Sequence, residues 1–71
     1  MPGAEFKGIR VELGCSGESF ARALGYGGTV HRLKAVVYRF ESGEREIPPA
    51  VARLAWMFSV YGLPEEELAD V

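Results

Sequence analysis

The side chains of this chain that could do chemistry are few and mostly cationic. His31 is the only histidine and Cys15 the only cysteine. No second histidine, paired carboxylate or free nucleophile accompanies His31, so no acid–base pair or activated nucleophile can be assembled around it. His31 is expected at a polyanion contact or simply exposed, and Cys15 as a buried, unreactive thiol. No Cys/His grouping has metal-ligand spacing. Gly25-Tyr-Gly-Gly28 lacks the Lys-Ser/Thr that would follow in a nucleotide phosphate loop. An enzyme, a cofactor and a metal are therefore not expected. What remains is the run Arg32, Lys34, Arg39 and Arg45. Arginine meets guanine O6 and N7 in bidentate fashion, at about 1–3 kcal/mol of discrimination, and lysine neutralises phosphate. Beside them, Tyr38 suits a sugar or phosphate contact, or else a half-buried position. Ala35 is small enough for close approach in a groove and for a thymine methyl. Ser42 and Arg45 suit phosphate.

Helices must position these groups. Phe6, Ile9 and Leu13 recur at helical spacing over Glu5–Leu13, with Gly14 as the stop. Ser16 is an N-cap for a second helix of about eight residues, in which Phe20, Ala21 and Leu24 form the buried side. Tyr26-Gly-Gly28 is a turn, and Thr29 caps a third helix to Ser42, stopped by Gly43. Val30, Leu33, Val37 and Phe40 share its apolar side, with Val36 beside them; His31, Ala35, Tyr38, Arg39 and Ser42 face the other way, flanked by Arg32. Val36-Val37 has strand propensity, but period-two alternation fails across 29–40. Glu44–Ile47 reads as a polar connection. Pro48-Pro49 opens a fourth helix whose stripe is Val51, Leu54, Met57, Phe58 and Tyr61, ended by Gly62. Pro64 then begins a short acidic helix, within a C-terminal segment 64–70. The expectation is an all-α, compact four- to five-helix bundle forming a single domain over 1–71.

At 71 residues the core is small, about 60 % of the unfolded surface being buried. A hydrophobic share of 48 % and a charged share of 25 % exclude a disordered chain. Net charge is −2, yet Glu65, Glu66, Glu67 and Asp70 cluster at the end; residues 1–63 carry eight basic against six acidic side chains, or +2. The longest apolar run, 54–63, is broken by Ser59 and Gly62, and the N-terminus lacks the order of a signal peptide. A cytoplasmic, nucleoid-associated protein is the expectation.

Arg10-Val-Glu-Leu-Gly-Cys-Ser, Phe20-Ala-Arg-Ala-Leu-Gly25 and Arg39-Phe-Glu-Ser-Gly43, followed by a proline-started helix, resemble the phage repressor and Cro-type helix-turn-helix domains (the XRE family) over roughly residues 5–68. The resemblance implies a lambda-repressor-like fold with its motif at about 16–42, residues 16–25 bracing on the DNA backbone and the following helix entering the major groove. It implies DNA contacts from Ser16, Gly17, Thr29, His31, Arg32, Lys34, Ala35, Tyr38, Arg39, Ser42 and Arg45, and a structural salt bridge between Arg10 and Glu41. Gly17 stands where the family often has a DNA-touching glutamine, which leaves only backbone N–H groups for a phosphate there. About six residues more than usual separate Gly25 from Glu41; they lengthen either the recognition helix or the turn before it.

The resemblance further implies a homodimer on a palindromic operator, acting as a transcriptional repressor, with two recognition helices roughly 34 Å apart. Trp56, Val60 and Leu63 lie partly off the apolar stripe and, with Leu68, are the expected dimer surface unless they complete the core. The alternative is a protein-interaction module, such as an antitoxin or phage regulator, whose main partner is another protein.

Overall fold

Ser16 and Thr29 each turn a side-chain oxygen onto a backbone N–H three residues ahead: Ser19 N–H donates to Ser16 at 3.1 Å and Arg32 N–H to Thr29 at 3.2 Å. These are the orphan donors that a helix start must satisfy. The structure is a computed structural model that describes residues 1–64. Among these residues it is all-helical: α1 (Gly3–Leu13), α2 (Gly17–Ala23), α3 (Val30–Ser42) and α4 (Pro49–Tyr61). Pro49 occupies the first turn of α4, where its missing N–H costs no bond. The acidic helix expected after Pro64, and Leu68 with it, lie outside the described residues. No helix among those described is long and apolar enough to cross a membrane.

α1 and α2 end in the same way. Gly14 and Gly25 follow the last turn; Gly14 N–H donates to Val11 O and Cys15 N–H to Arg10 O, while Gly25 N–H donates to Arg22 O and Tyr26 N–H to Ala21 O. This paired 5→2 and 6→1 pattern closes the helix and sends the chain off at a defined angle. Gly25 has φ +97°, a conformation that other residues resist, so it sets where Tyr26 goes.

α2 packs on α3, and α1 packs on both α3 and α4. The centre is aromatic. The Phe6 ring lies 5.0 Å from Phe20 and 5.6 Å from Phe40, and Phe20 meets Phe58 edge-on at 6.5 Å. Leu33, Val37, Ala21, Leu24 and Ala55 close around them. The expected core residues Phe6, Phe20, Ala21, Leu24, Leu33, Val37, Phe40 and Val51 are buried, as is Cys15.

Other expectations fail at helix margins. Val30, in the first turn of α3, is 45 % exposed. Met57 and Tyr61 are exposed as well. The buried line of α4 runs through Val51, Ala55 and half-buried Phe58, which leaves both residues at its edge. Ile47, read as part of a polar connection, is buried one residue before the α4 N-cap, where a hydrophobic staple sits. Leu63, expected on a dimer surface, is buried in the core; the chain turns at Gly62 and brings it back inside. Trp56 and Val60 remain exposed.

α1 begins two residues earlier than its periodicity suggests, and its first residue is tightly fitted. A Cβ on Gly3 would lie 2.5 Å from the Glu41 carbonyl oxygen and 2.6 Å from that of Phe40. These are backbone atoms that no rotamer change can move. Gly3→Ala should lower stability by about 1–3 kcal/mol, as overpacking does. Gly8→Ala, on the open side of the same helix with nothing within 4 Å, should raise it by about 0.5–1 kcal/mol through helix propensity. Thermal melts followed by circular dichroism check both, and equal melting of Gly3→Ala and wild type would place this crossing elsewhere.

Candidate nucleic-acid interface

The position of α3 is set first by an ion pair at its inner edge. The Arg10 guanidinium on α1 donates from Nε to Glu41 Oε2 at 2.6 Å and from Nη2 to Oε1 at 3.2 Å, and from Nη1 to the Cys15 carbonyl at 3.3 Å. Both side chains are mostly buried, at 20 % and 11 % exposure. The resemblance-based pairing of Arg10 with Glu41 is thus present as a fork-to-fork bridge. The hydrogen bonds that Arg10 donates to the Glu41 carboxylate lift the guanidinium pKa above its usual value despite the cost of burial. Next to it, burial pushes the Cys15 thiol up, and the nearby Arg10 charge only partly offsets this. Cys15 Sγ also donates to Arg10 O at 3.7 Å, so the thiol stays neutral and acts as packing.

With its Leu33–Val37–Phe40 line on the core, α3 turns its remaining residues outward. His31, Arg32, Lys34, Tyr38, Arg39 and Ser42 are exposed, as are Thr29 and Arg45 beside the helix, while Ala35 is half-buried. Three of the expected contact residues already have local duties. Ser16 caps α2 and also donates its hydroxyl to Ser19 at 3.2 Å; Thr29 caps α3; Ser42 donates to Arg39 O and accepts from Glu44 N–H, both at 3.3 Å. Gly17 packs its α-carbon side toward Val37, so the start of α2 is seated on α3.

The outward residues do not form one face. Tyr26, His31, Arg32, Ala35, Val36, Arg39 and Arg45 line an open cleft of about 500 Å³. Lys34 and Tyr38 lie on the opposite flank of α3, since each residue advances the helix by about 100°. The extra length between Gly25 and Glu41 is divided: the connection spans 24–29, longer than the three or four residues of an ordinary helix-turn-helix turn, and α3 starts at Val30. That connection is what brings Tyr26 to the cleft. Its ring lies 6.2 Å from Phe40, so the tyrosine packs on the core and also lines the cleft.

Two of the cleft arginines have neighbours at its edge. Gly28 lies against Arg32, and a Cβ there would meet Arg32 Cδ at 3.2 Å. The Arg45 N–H donates to Arg39 O at 3.1 Å, and its guanidinium sits 5.7 Å from the centre of the Phe40 ring. Among the described residues Arg10 pairs with Glu41 and Arg22 with Glu18, while Arg32, Lys34, Arg39 and Arg45 make no ion pair. Glu44 and Glu46 flank Arg45 in sequence but do not line the cleft. Three guanidiniums therefore border one concavity without a carboxylate.

No family model, curated protein or solved structure matches the chain.

What this surface can do is accordingly set by its own side chains. Sequence reasoning placed Arg32, Arg39, Arg45, His31 and Ala35 at the contact surface and missed Tyr26 and Val36. Tyr26 carried a readable signal, as the residue following a Gly stop of the type seen at Gly25, which commonly folds back on the helix core. Val36 carried none, because it lies between the apolar and polar sides of α3.

Proposed function

We propose that this protein binds double-stranded DNA through the outer side of α3 and acts as a transcriptional regulator, in the manner of a repressor. One observation carries the reading: Arg32, Arg39 and Arg45, with His31, border one surface and have no carboxylate partner among the described residues. A set of cations kept free of internal partners is costly in self-repulsion and is suited to an external polyanion. Supporting it, α2 packs on α3, as the two helices of a helix-turn-helix of the phage repressor type would, although the connection between them is longer than that motif's usual turn. In that arrangement α2 lies across the backbone and α3 enters the major groove. A homodimer would present two such helices to a palindromic operator.

The test is fluorescence anisotropy with duplexes recovered by selection from a random pool. Affinity should fall steeply with added salt, because phosphate contacts release counterions. Arg39→Ala should cost about 1–3 kcal/mol and relax selectivity at one base pair. If wild type and Arg39→Ala bind equally weakly and without salt dependence, the surface is not a DNA interface.

A second reading has its own observation. Trp56, Met57, Val60 and Tyr61 leave α4 with an exposed apolar side, Trp56 at 56 % and Tyr61 at 78 % exposure. Such a patch suits a protein surface, either a second copy or a partner of a protein-interaction module. Light scattering across a concentration series separates the two, since a self-associating surface changes the mass with concentration and a hetero-partner surface does not.

A further inference from the structure

The cleft beside α3 has more definition than a charged helix face needs. It is lined by the aromatic Tyr26, by Ala35 and Val36, and by His31 with three guanidinium side chains, Arg32, Arg39 and Arg45. From these features we propose that the cleft is a seat for one nucleotide phosphate, with the attached sugar or base lying against Tyr26 and Val36. Guanidinium groups match phosphate oxygens in bidentate fashion, and two or three together balance a charge that a single carboxylate would leave in excess. About 500 Å³ is more than one phosphate fills and falls in the range of small-ligand sites. The half-apolar lining gives the remainder of a nucleotide somewhere to pack. Arg32 runs beside Gly28, and the Arg45 guanidinium already lies over the Phe40 ring next to the cleft. Lys34 carries the same charge on the same helix but lies on the other flank, outside the cleft.

The nucleotide has two sources, a DNA strand, whose phosphodiester carries one negative charge, or a free mononucleotide, whose phosphomonoester carries up to two; both offer oxygens that guanidiniums can pair. The seat is built from the same arginines that carry the DNA reading, and the nucleotide arm of the test examines it without a duplex. The experiment is a ¹H–¹⁵N NMR titration of the full chain with inorganic phosphate, adenosine monophosphate and a short duplex. Adenosine monophosphate should give saturable shifts at Tyr26, Arg32, Ala35, Arg39 and Arg45, and bind about tenfold tighter than inorganic phosphate because of the apolar wall. Arg32→Gln should weaken it by about tenfold, the loss of one charge-assisted contact. Lys34→Gln should change it by less than about twofold, as expected for a screened charge outside the site. Displacement of the nucleotide by duplex puts a strand phosphate in the seat, and simultaneous binding assigns the seat to a free nucleotide; either result upholds it. Shifts that do not saturate, or equal weakening by Arg32→Gln and Lys34→Gln, overturn it. Duplex binding without saturable nucleotide binding removes the seat and leaves the DNA reading. Saturable nucleotide binding without duplex binding does the reverse.

Discussion

Phe40→Ala should leave the chain largely unfolded near physiological temperature. Phe40 is fully buried, meets Phe6 edge-on at 5.6 Å and Tyr26 at 6.2 Å, and carries the Arg45 guanidinium over its ring. Truncating a phenylalanine in such a position costs about 3–5 kcal/mol, from lost transfer energy and the cavity that remains. A domain of this length holds only about 4–10 kcal/mol in total. The neighbours cannot collapse into the space, because Phe6 is already held by Phe20 and Tyr26 by the α2 stop. Phe40→Leu separates packing from the aromatic contacts. It keeps most of the volume and should cost under about 2 kcal/mol, near the limit for swaps that approximately conserve volume. It should nevertheless release Arg45 and weaken any ligand of the cleft. Urea unfolding followed by circular dichroism gives the stability, and a Phe40→Ala midpoint close to wild type would show that the aromatic centre is not where the fold is held.

Glu41→Ala is the second large effect. Removal of the carboxylate leaves the Arg10 guanidinium in a mostly buried place with only the Cys15 carbonyl at 3.3 Å to meet it. Two charge-assisted hydrogen bonds are lost, and the loss should be about 2–3 kcal/mol. At roughly 4–8 °C per kcal/mol for a domain this small, the melting temperature should fall by about 10–20 °C. The pair need not be favourable in itself. An apolar replacement of both partners satisfies the site without any charge to desolvate, so Arg10→Met with Glu41→Leu should recover most of the stability that Glu41→Ala loses. A double-mutant cycle over these variants measures it. If Glu41→Ala melts with wild type, the bridge contributes nothing and α1 is held to α3 by Gly3 and Phe6 alone. The same bridge sits one residue from Phe40 and two from Arg39, so its loss should also disturb the cleft, visible as shifted amides at Tyr26 and Arg45.

These two residues show what was legible beforehand and what was not. Phe40 was readable as core because it recurs at helical spacing with Leu33 and Val37. Its second duty, as the platform under Arg45 and Tyr26, was not readable. Nothing in the local sequence states that a tyrosine fourteen positions earlier will fold back onto it. The Arg10–Glu41 pairing came from family resemblance, because residues separated by 31 positions have no local relation at all. Gly3 lay outside the helix expected over Glu5–Leu13, and only the approach of α3 makes its missing side chain necessary.

The amino-acid sequence by itself determined where α2, α3 and α4 begin and where α1, α2 and α3 end. Ser16 and Thr29 satisfy donors within three residues of themselves, Pro49 tolerates a first turn, and the glycines that stop α1, α2 and α3 act on their own last turns. All of these are interactions closed within one turn of chain, so neighbours in sequence suffice to specify them. The tertiary structure decided which flank of each helix is covered. It buried Ile47, Ala55 and Leu63, and it left Val30, Met57 and Tyr61 in solvent. It also divided the outer side of α3 into a cleft with Arg32, Arg39 and Arg45 and a separate flank with Lys34 and Tyr38. Helical periodicity ranks residues around an axis, but the width and position of the covered stripe depend on the length and angle of whatever packs on it.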